Sequence, residues 1–195
     1  MPLLKRGPEV FPQSLFDLPA VDAPWTVAHT RSRQEKALAR QLEPLGVAFY
    51  LPQYERRVRR SGRDFMSFIP LFPGYVFLRC EGATRDAVFR SGLVVRLLDV
   101  RDQDLLDGEL RQLRSLQLAG ASLAPYERLV PGDLVTISDG PFRGHRGHVV
   151  REQSGLRLIV SISMLRKSVA VEFDRSCLRR ESRPSGSGED RSAVA

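Results

Sequence analysis

Five arginines crowd into the nine residues of ERRVRRSGR: Arg56, Arg57, Arg59, Arg60 and Arg63. Planar guanidinium forks match phosphate oxygens, so this cluster suits a polyanion bound with salt-sensitive affinity. The competing reading is a solvated charged loop, the ordinary fate of a charge run. A second group is aromatic. In SFIPLFPGYVFLR, Phe72, Tyr75 and Phe77 surround Pro73 and Gly74. They either fill a core or form a docking surface, where aromatics bury large area at little rotamer cost. His145 and His148 flank Gly147, but two histidines in a glycine-rich turn make no metal site and read as surface residues. His29 reads as a structural strand residue or a polar contact on the side of the polyanion. No Ser/His/Asp set, carboxylate pair, phosphate-binding loop or Cys/His cluster has usable spacing, so no enzyme, cofactor or metal is expected.

The composition agrees with a nucleic-acid neighbourhood. The chain has 195 residues, 42% of them hydrophobic, and a net charge of +7, enough for one domain or two small ones. Its pI is about 10.1, which favours work beside a polyanion. No apolar run approaches the roughly 20 residues of a membrane span, and the proline-punctuated start is no secretory signal. Cys80 and Cys177 lie far apart without metal spacing, as suits a reducing cytosol.

The elements that must position these groups follow from periodicity. Residues 1–23 read as a flexible leader. WTVAHT alternates as a strand. In SRQEKALARQLEPLG, Ser32 and Glu35 have capping-box spacing, Leu38, Leu42 and Leu45 share a face, and Gly46 suits a left-handed C-cap. Two extended arms meet at Ser61-Gly62, the hairpin tip that carries the arginines. PGYVFLRC is a strand, TRDAVFRSG a short helix, LVVRLLDV a strand, and DLLDGELRQLRSLQL a helix with Leu106, Leu110 and Leu113 on one side. This order predicts an α+β, ferredoxin-like sandwich over 24–118. Tyr75 and Phe77 alternate with Val76 and Leu78. Val76 and Leu78 are expected under the helices, with Tyr75 and Phe72 presented outward and Phe77 shared. Residues 119–127 read as a linker, 128–181 as a small all-β barrel of short strands, and 182–195 as a disordered tail.

In VPGDLVTISDGPFRGHRGHVV, Gly132-Asp133 opens a strand with Val135 and Ile137, and Gly147 starts another with Val149. This stretch resembles a KOW motif, found in SH3-like barrels of transcription and ribosomal proteins. The tryptophan-led strand, the helix with Glu35 and PLFPGYVFL resemble the NGN domain of the NusG family. In this order, over about 25–181, the chain resembles the family's transcription elongation factors. PLFP leans toward specialised members of the RfaH type.

The resemblance implies a cytoplasmic, monomeric factor that modulates pausing, termination or antitermination. Phe72 and Tyr75 match the aromatic patch that docks on the clamp helices of the largest RNA polymerase subunit, and Phe77, shared with the core, is assigned to the same polymerase-binding site. GATRDAVFRSG falls where RfaH-like members carry a stretch touching the polymerase gate loop. Only Thr84 is retained there, and Thr84 and Asp86 equally suit helix capping. The arginine hairpin would face non-template or upstream DNA. In SISMLRKSVAVEF, Met164, Leu165, Arg166 and Lys167 fall at the bend that receives a small-subunit ribosomal protein or the termination factor Rho. The family usually has an aromatic and then glycine at Leu165-Arg166. The competing class is a ribosome-associated KOW protein whose barrel binds RNA.

Overall fold

A computed structural model describes residues 5–17, 23–126, 133–137, 139–152, 155–172 and 178–180. Its first elements are β1 (Val10–Phe11), β2 (Trp25–Thr30), α1 (Glu35–Leu42), β3 (Ala48–Tyr50), β4 (Gln53–Arg60) and β5 (Arg63–Pro70). Then come β6 (Tyr75–Arg79), α2 (Gly82–Arg90), β7 (Val94–Asp99) and α3 (Gln103–Leu118). Strands β1-β3-β6-β2-β7 form one antiparallel sheet in that order. The succession β2-α1-β3-β6-α2-β7 has the ferredoxin-like arrangement expected, with β4 and β5 inserted as a separate two-stranded ribbon.

Alternation along the strands sorts two apolar faces. Ala28, Phe49, Val76 and Leu78 pack with Leu38 and Leu42 of α1 and Val88 of α2. Trp25, Val27, Tyr50 and Phe77 pack with Leu106, Leu110 and Leu113 of α3. The sheet is therefore covered on both sides, because the leucine stripe of α3 needs a face of its own. This corrects the expected outward aromatic face: Phe72 is 2% exposed and Phe77 is fully buried.

The expected flexible leader is also corrected where it is described. β1 pairs with the outer edge of β3, Val10 opposite Tyr50, and Val10 and Leu15 are buried. Phe16 meets Tyr50 edge-on, with centroids 5.1 Å apart. Burying such a side chain stabilises by about 1.5–3 kcal/mol, enough to offset ordering a short segment. Glu9 fastens this strap, accepting from the Gln53 amide at 3.0 Å and from Gln117 Nε2 at 2.8 Å. Lys36 Nζ donates to the carbonyls of Lys5 and Phe68, and burial pushes its pKa down. Residues 1–4 and 18–22 of the leader lie outside the described residues.

The second sheet contains β8 (Leu123–Tyr126), β9 (Asp133–Ile137), β10 (Arg146–Glu152), β11 (Gly155–Ile162), β12 (Lys167–Glu172) and β13 (Leu178–Arg180). Their order, β13-β9-β10-β11-β12-β8, is antiparallel throughout, the small β module expected. Part of the expected linker is instead β8, at the sheet end beside β12, a position that tolerates Pro125. Residues 127–132 and the tail 182–195 lie outside the described residues. Gly147 is required by packing: a Cβ there would sit 2.4 Å from the Ile159 carbonyl oxygen. One apolar cluster runs from α3 into this second sheet, joining Leu106 and Leu113 with Leu158, Val160 and Val169.

Candidate functional site

The β2–β6 register sets His29 opposite Tyr75, and their rings stack at 5.2 Å between centroids. Both side chains are half-buried. Phe72 lies inward of them, edge-on to Phe77 at 5.8 Å. The turn between is held by the Gly74 amide, which donates to Glu35 Oε1 at 2.6 Å, and by the Thr30 amide, which donates to the Gly74 carbonyl at 2.9 Å. Gly74 has φ +85°, a conformation that favours glycine. Glu35 therefore serves the aromatic turn rather than the expected capping box with Ser32, and the N-cap residue of α1 is Gln34, with no side-chain cap hydrogen bond. Gly46 does adopt the left-handed conformation expected after that helix. Of the three aromatics singled out, only Tyr75 reaches solvent.

A second constellation holds α3 on the sheet. Asp107 Oδ1 accepts from Trp25 Nε1 at 2.8 Å and from Arg79 Nη2 at 2.6 Å, while Oδ2 accepts from Arg111 Nε at 2.5 Å. The Arg79 guanidinium lies 4.4 Å over the Trp25 ring, and Arg111 donates to the Phe16 carbonyl. Burial pushes the Asp107 carboxyl upward. The Arg111 and Trp25 hydrogen bonds and the two guanidinium charges outweigh that, holding it below the usual carboxylate range. Asp107 had no sequence signal beyond its place on α3.

The arginine hairpin is a regular ribbon, β4 against β5, turning through Ser61 and Gly62, both with positive φ. Arg56, Arg57, Arg59 and Arg63 are exposed. Arg60 closes the ladder opposite Arg63. Phe65 and Met66 are also exposed, which sequence reading did not single out. On α2, Thr84 is exposed. Neither it nor Asp86 caps the helix: the N-cap residue is Glu81, with no side-chain hydrogen bond.

The bend Ser163–Leu165, between β11 and β12, faces α3. The Ser163 amide donates to both carboxylate oxygens of Glu109 at 3.1 Å, and Ser163 Oγ donates to Oε1. Gln112 Nε2 donates to the Arg146 carbonyl. Met164 and Leu165 are half-buried against the shared apolar cluster. Met164 also lines a hollow of about 310 Å³ with Val100, Leu105 and Leu106. The bend, expected to receive an outside partner, is thus engaged within the chain. Lys167 Nζ lies 6.0 Å over the Tyr75 ring. Arg166 is exposed and takes the left-handed conformation, φ +51°, which glycine adopts without steric cost. Burial pushes the Glu109 carboxyl up, the Ser163 bonds counter this, and Asp102 adds to the rise.

Among the described residues no group of three or more His, Cys, Asp or Glu could hold a metal ion. Contrary to the surface reading, His145 is 9% exposed, with Nδ1 2.8 Å from the Phe142 carbonyl oxygen. His148 lies in β10 opposite Ile159. Cys80 is buried and free, and burial pushes its thiol up. Cys177 lies outside the described residues. No described helix is long and apolar enough to cross a membrane.

The family described as "Transcription termination factor nusG" matches residues 23–110, from β2 to the first half of α3. The chain is 26% identical over 161 residues to a transcription termination/antitermination protein NusG of Buchnera aphidicola (subsp. Baizongia pistaciae), covering 77% of the chain and 87% of the relative. It is 28% identical over 157 residues to the protein of that name from Yersinia pestis, covering 75% and 84%. Among solved structures, one described as domain interaction in Thermotoga maritima NusG aligns with a TM-score of 0.49 and 24% identity. That alignment covers 84% of this chain and all of the other.

Proposed function

We propose that the chain, which matches the NusG family model over residues 23–110 and NusG proteins at 26–28% identity, is a NusG-like transcription elongation factor of two modules, residues 24–118 and 128–181. The first binds RNA polymerase at the clamp helices and modulates pausing, termination or antitermination. The second recruits a further partner, a small-subunit ribosomal protein or Rho. The observation that carries the polymerase reading is Tyr75, a half-buried aromatic on the sheet, stacked on His29. A ring held in one orientation but open on one side presents contact area at low entropic cost. Phe72 and Phe77 act beneath it as support rather than as contacts, given their burial. Thr84, exposed at the start of α2, is a secondary polymerase contact, and the β4–β5 ribbon faces upstream or non-template DNA.

The contacts of the bend bear on how the second module works. Met164 and Leu165 pack against the cluster continuous with α3, and Lys167 reaches over Tyr75. The same residues cannot serve α3 and an outside partner together, so recruitment follows separation of the barrel from the first module. Tyr75→Ala tests the reading directly. Binding of the full chain to isolated clamp helices should fall about tenfold, the loss expected for an aromatic anchor, with the circular dichroism spectrum unchanged. Undiminished binding would place the polymerase contact elsewhere.

A further inference from the structure

The five hairpin arginines are not equivalent, because strand pairing sorts them onto two faces. Cross-strand partners share a face, and successive residues alternate. Val58 pairs with Phe65 and Arg56 with Ser67, so Phe65 shares its face with Val58, Arg56 and, two residues along its own strand, Arg63. No acidic residue of the ribbon falls there. The other face carries Arg57 opposite Met66, Arg59 opposite Asp64, and Glu55 opposite Phe68. Its two arginines are offset by its two carboxylates, and Arg57 reaches Asp64 at 3.9 Å. Phe65 is 36% exposed, flanked by uncompensated positive charge.

We propose that this face, with Phe65 at its centre and Arg56 and Arg63 beside it, binds an unpaired DNA strand. One base stacks on the Phe65 ring and its phosphates lie against the two guanidinium groups. The inference rests on the reading of the ribbon as a DNA contact and narrows it to one face and one form of DNA. Charge complementarity selects a polyanion, and the ring selects an unpaired strand: duplex bases are already stacked and offer an aromatic platform no free π-face. An opposed arginine and carboxylate set, as on the Arg57 face, releases few counterions on binding.

The test uses the full chain and fluorescein-labelled twelve-nucleotide thymidine DNA, read by fluorescence anisotropy across a series of salt concentrations, with a duplex of equal length alongside. The single strand should bind more tightly than the duplex. Phe65→Ala should weaken single-strand binding by about tenfold with the salt slope unchanged, as expected for loss of one stacked base, and Phe65→Trp should restore it. Arg56→Ala with Arg63→Ala should flatten the slope by about 1.4, at about 0.7 per phosphate contact, whereas Arg57→Ala with Arg59→Ala should change it by less than half as much. Equal flattening by both pairs, with Phe65→Ala silent, would overturn the face assignment while leaving a DNA contact by the ribbon. No change in slope from either pair, or duplex bound as tightly as single strand, would overturn the proposal, the former removing the DNA contact with it.

Discussion

Phe72 and Tyr75 stand three residues apart, yet alanine at each should produce opposite outcomes. Phe72 is 2% exposed and meets Phe77 edge-on at 5.8 Å. Truncating a ring so enclosed costs about 3–5 kcal/mol, of which the aromatic pair contributes about 1 kcal/mol. Against a usual domain stability of about 5–15 kcal/mol, that is a large fraction. With a urea dependence of about 2 kcal/mol per M, a loss of 4 kcal/mol lowers the unfolding midpoint by about 2 M. Tyr75 keeps one side open and should cost about 1 kcal/mol, or about 0.5 M. The chain offers a convenient probe, since its single tryptophan, Trp25, is 1% exposed in the same core. Urea titrations followed by Trp25 fluorescence should therefore show a large shift for Phe72→Ala and a small one for Tyr75→Ala, while clamp-helix binding shows the reverse for folded protein. A Phe72→Ala protein that keeps its midpoint within about 0.5 M but loses polymerase binding would refute the burial argument.

Two further outcomes concern carboxylates whose pKa values move in opposite directions. Asp107 is held below the ordinary range, so its contribution is present above the unfolded carboxylate pKa and is lost as pH falls through the folded value. Asp107→Asn should cost about 2–3 kcal/mol at neutral pH, below the full penalty for a broken buried pair because the aspartate is partly exposed, and should flatten the acid limb of the stability profile. An unaltered limb would remove Asp107 as the clamp. Glu109 is shifted upward in the engaged arrangement, so that contact is favoured below the ordinary glutamate pKa and weakens as pH rises through the raised value. NMR shifts at residues 163–167 should follow that titration, and Glu109→Gln should abolish it; a pH-independent set of shifts would detach Glu109 from the bend.

Local pattern determined much of this protein. Period-two alternation marked both sheets, the leucine stripe marked α3, and Ser61-Gly62 marked the ribbon tip, because each depends on residues within one turn or one strand. The arginine cluster was equally legible as charge. What lay beyond the sequence was which side chains end up facing each other across long stretches of chain. Glu35 resembles a capping residue until the fold brings Gly74 to it from 39 residues away. Asp107 is one acid among many until Trp25 arrives from 82 residues away, and Glu109 until Ser163 arrives from 54. Phe72 and Tyr75 show the same limit: both suit either a core or a surface, and burial was decided by α3 covering the second face of the sheet. The leader follows suit, since a proline-rich segment with a few apolar residues orders only where an open strand edge and a hydrophobic recess accept it. Hydrophobic burial is non-directional and rewards whichever distant surface becomes available. The choice among those surfaces is therefore made by the whole packed fold.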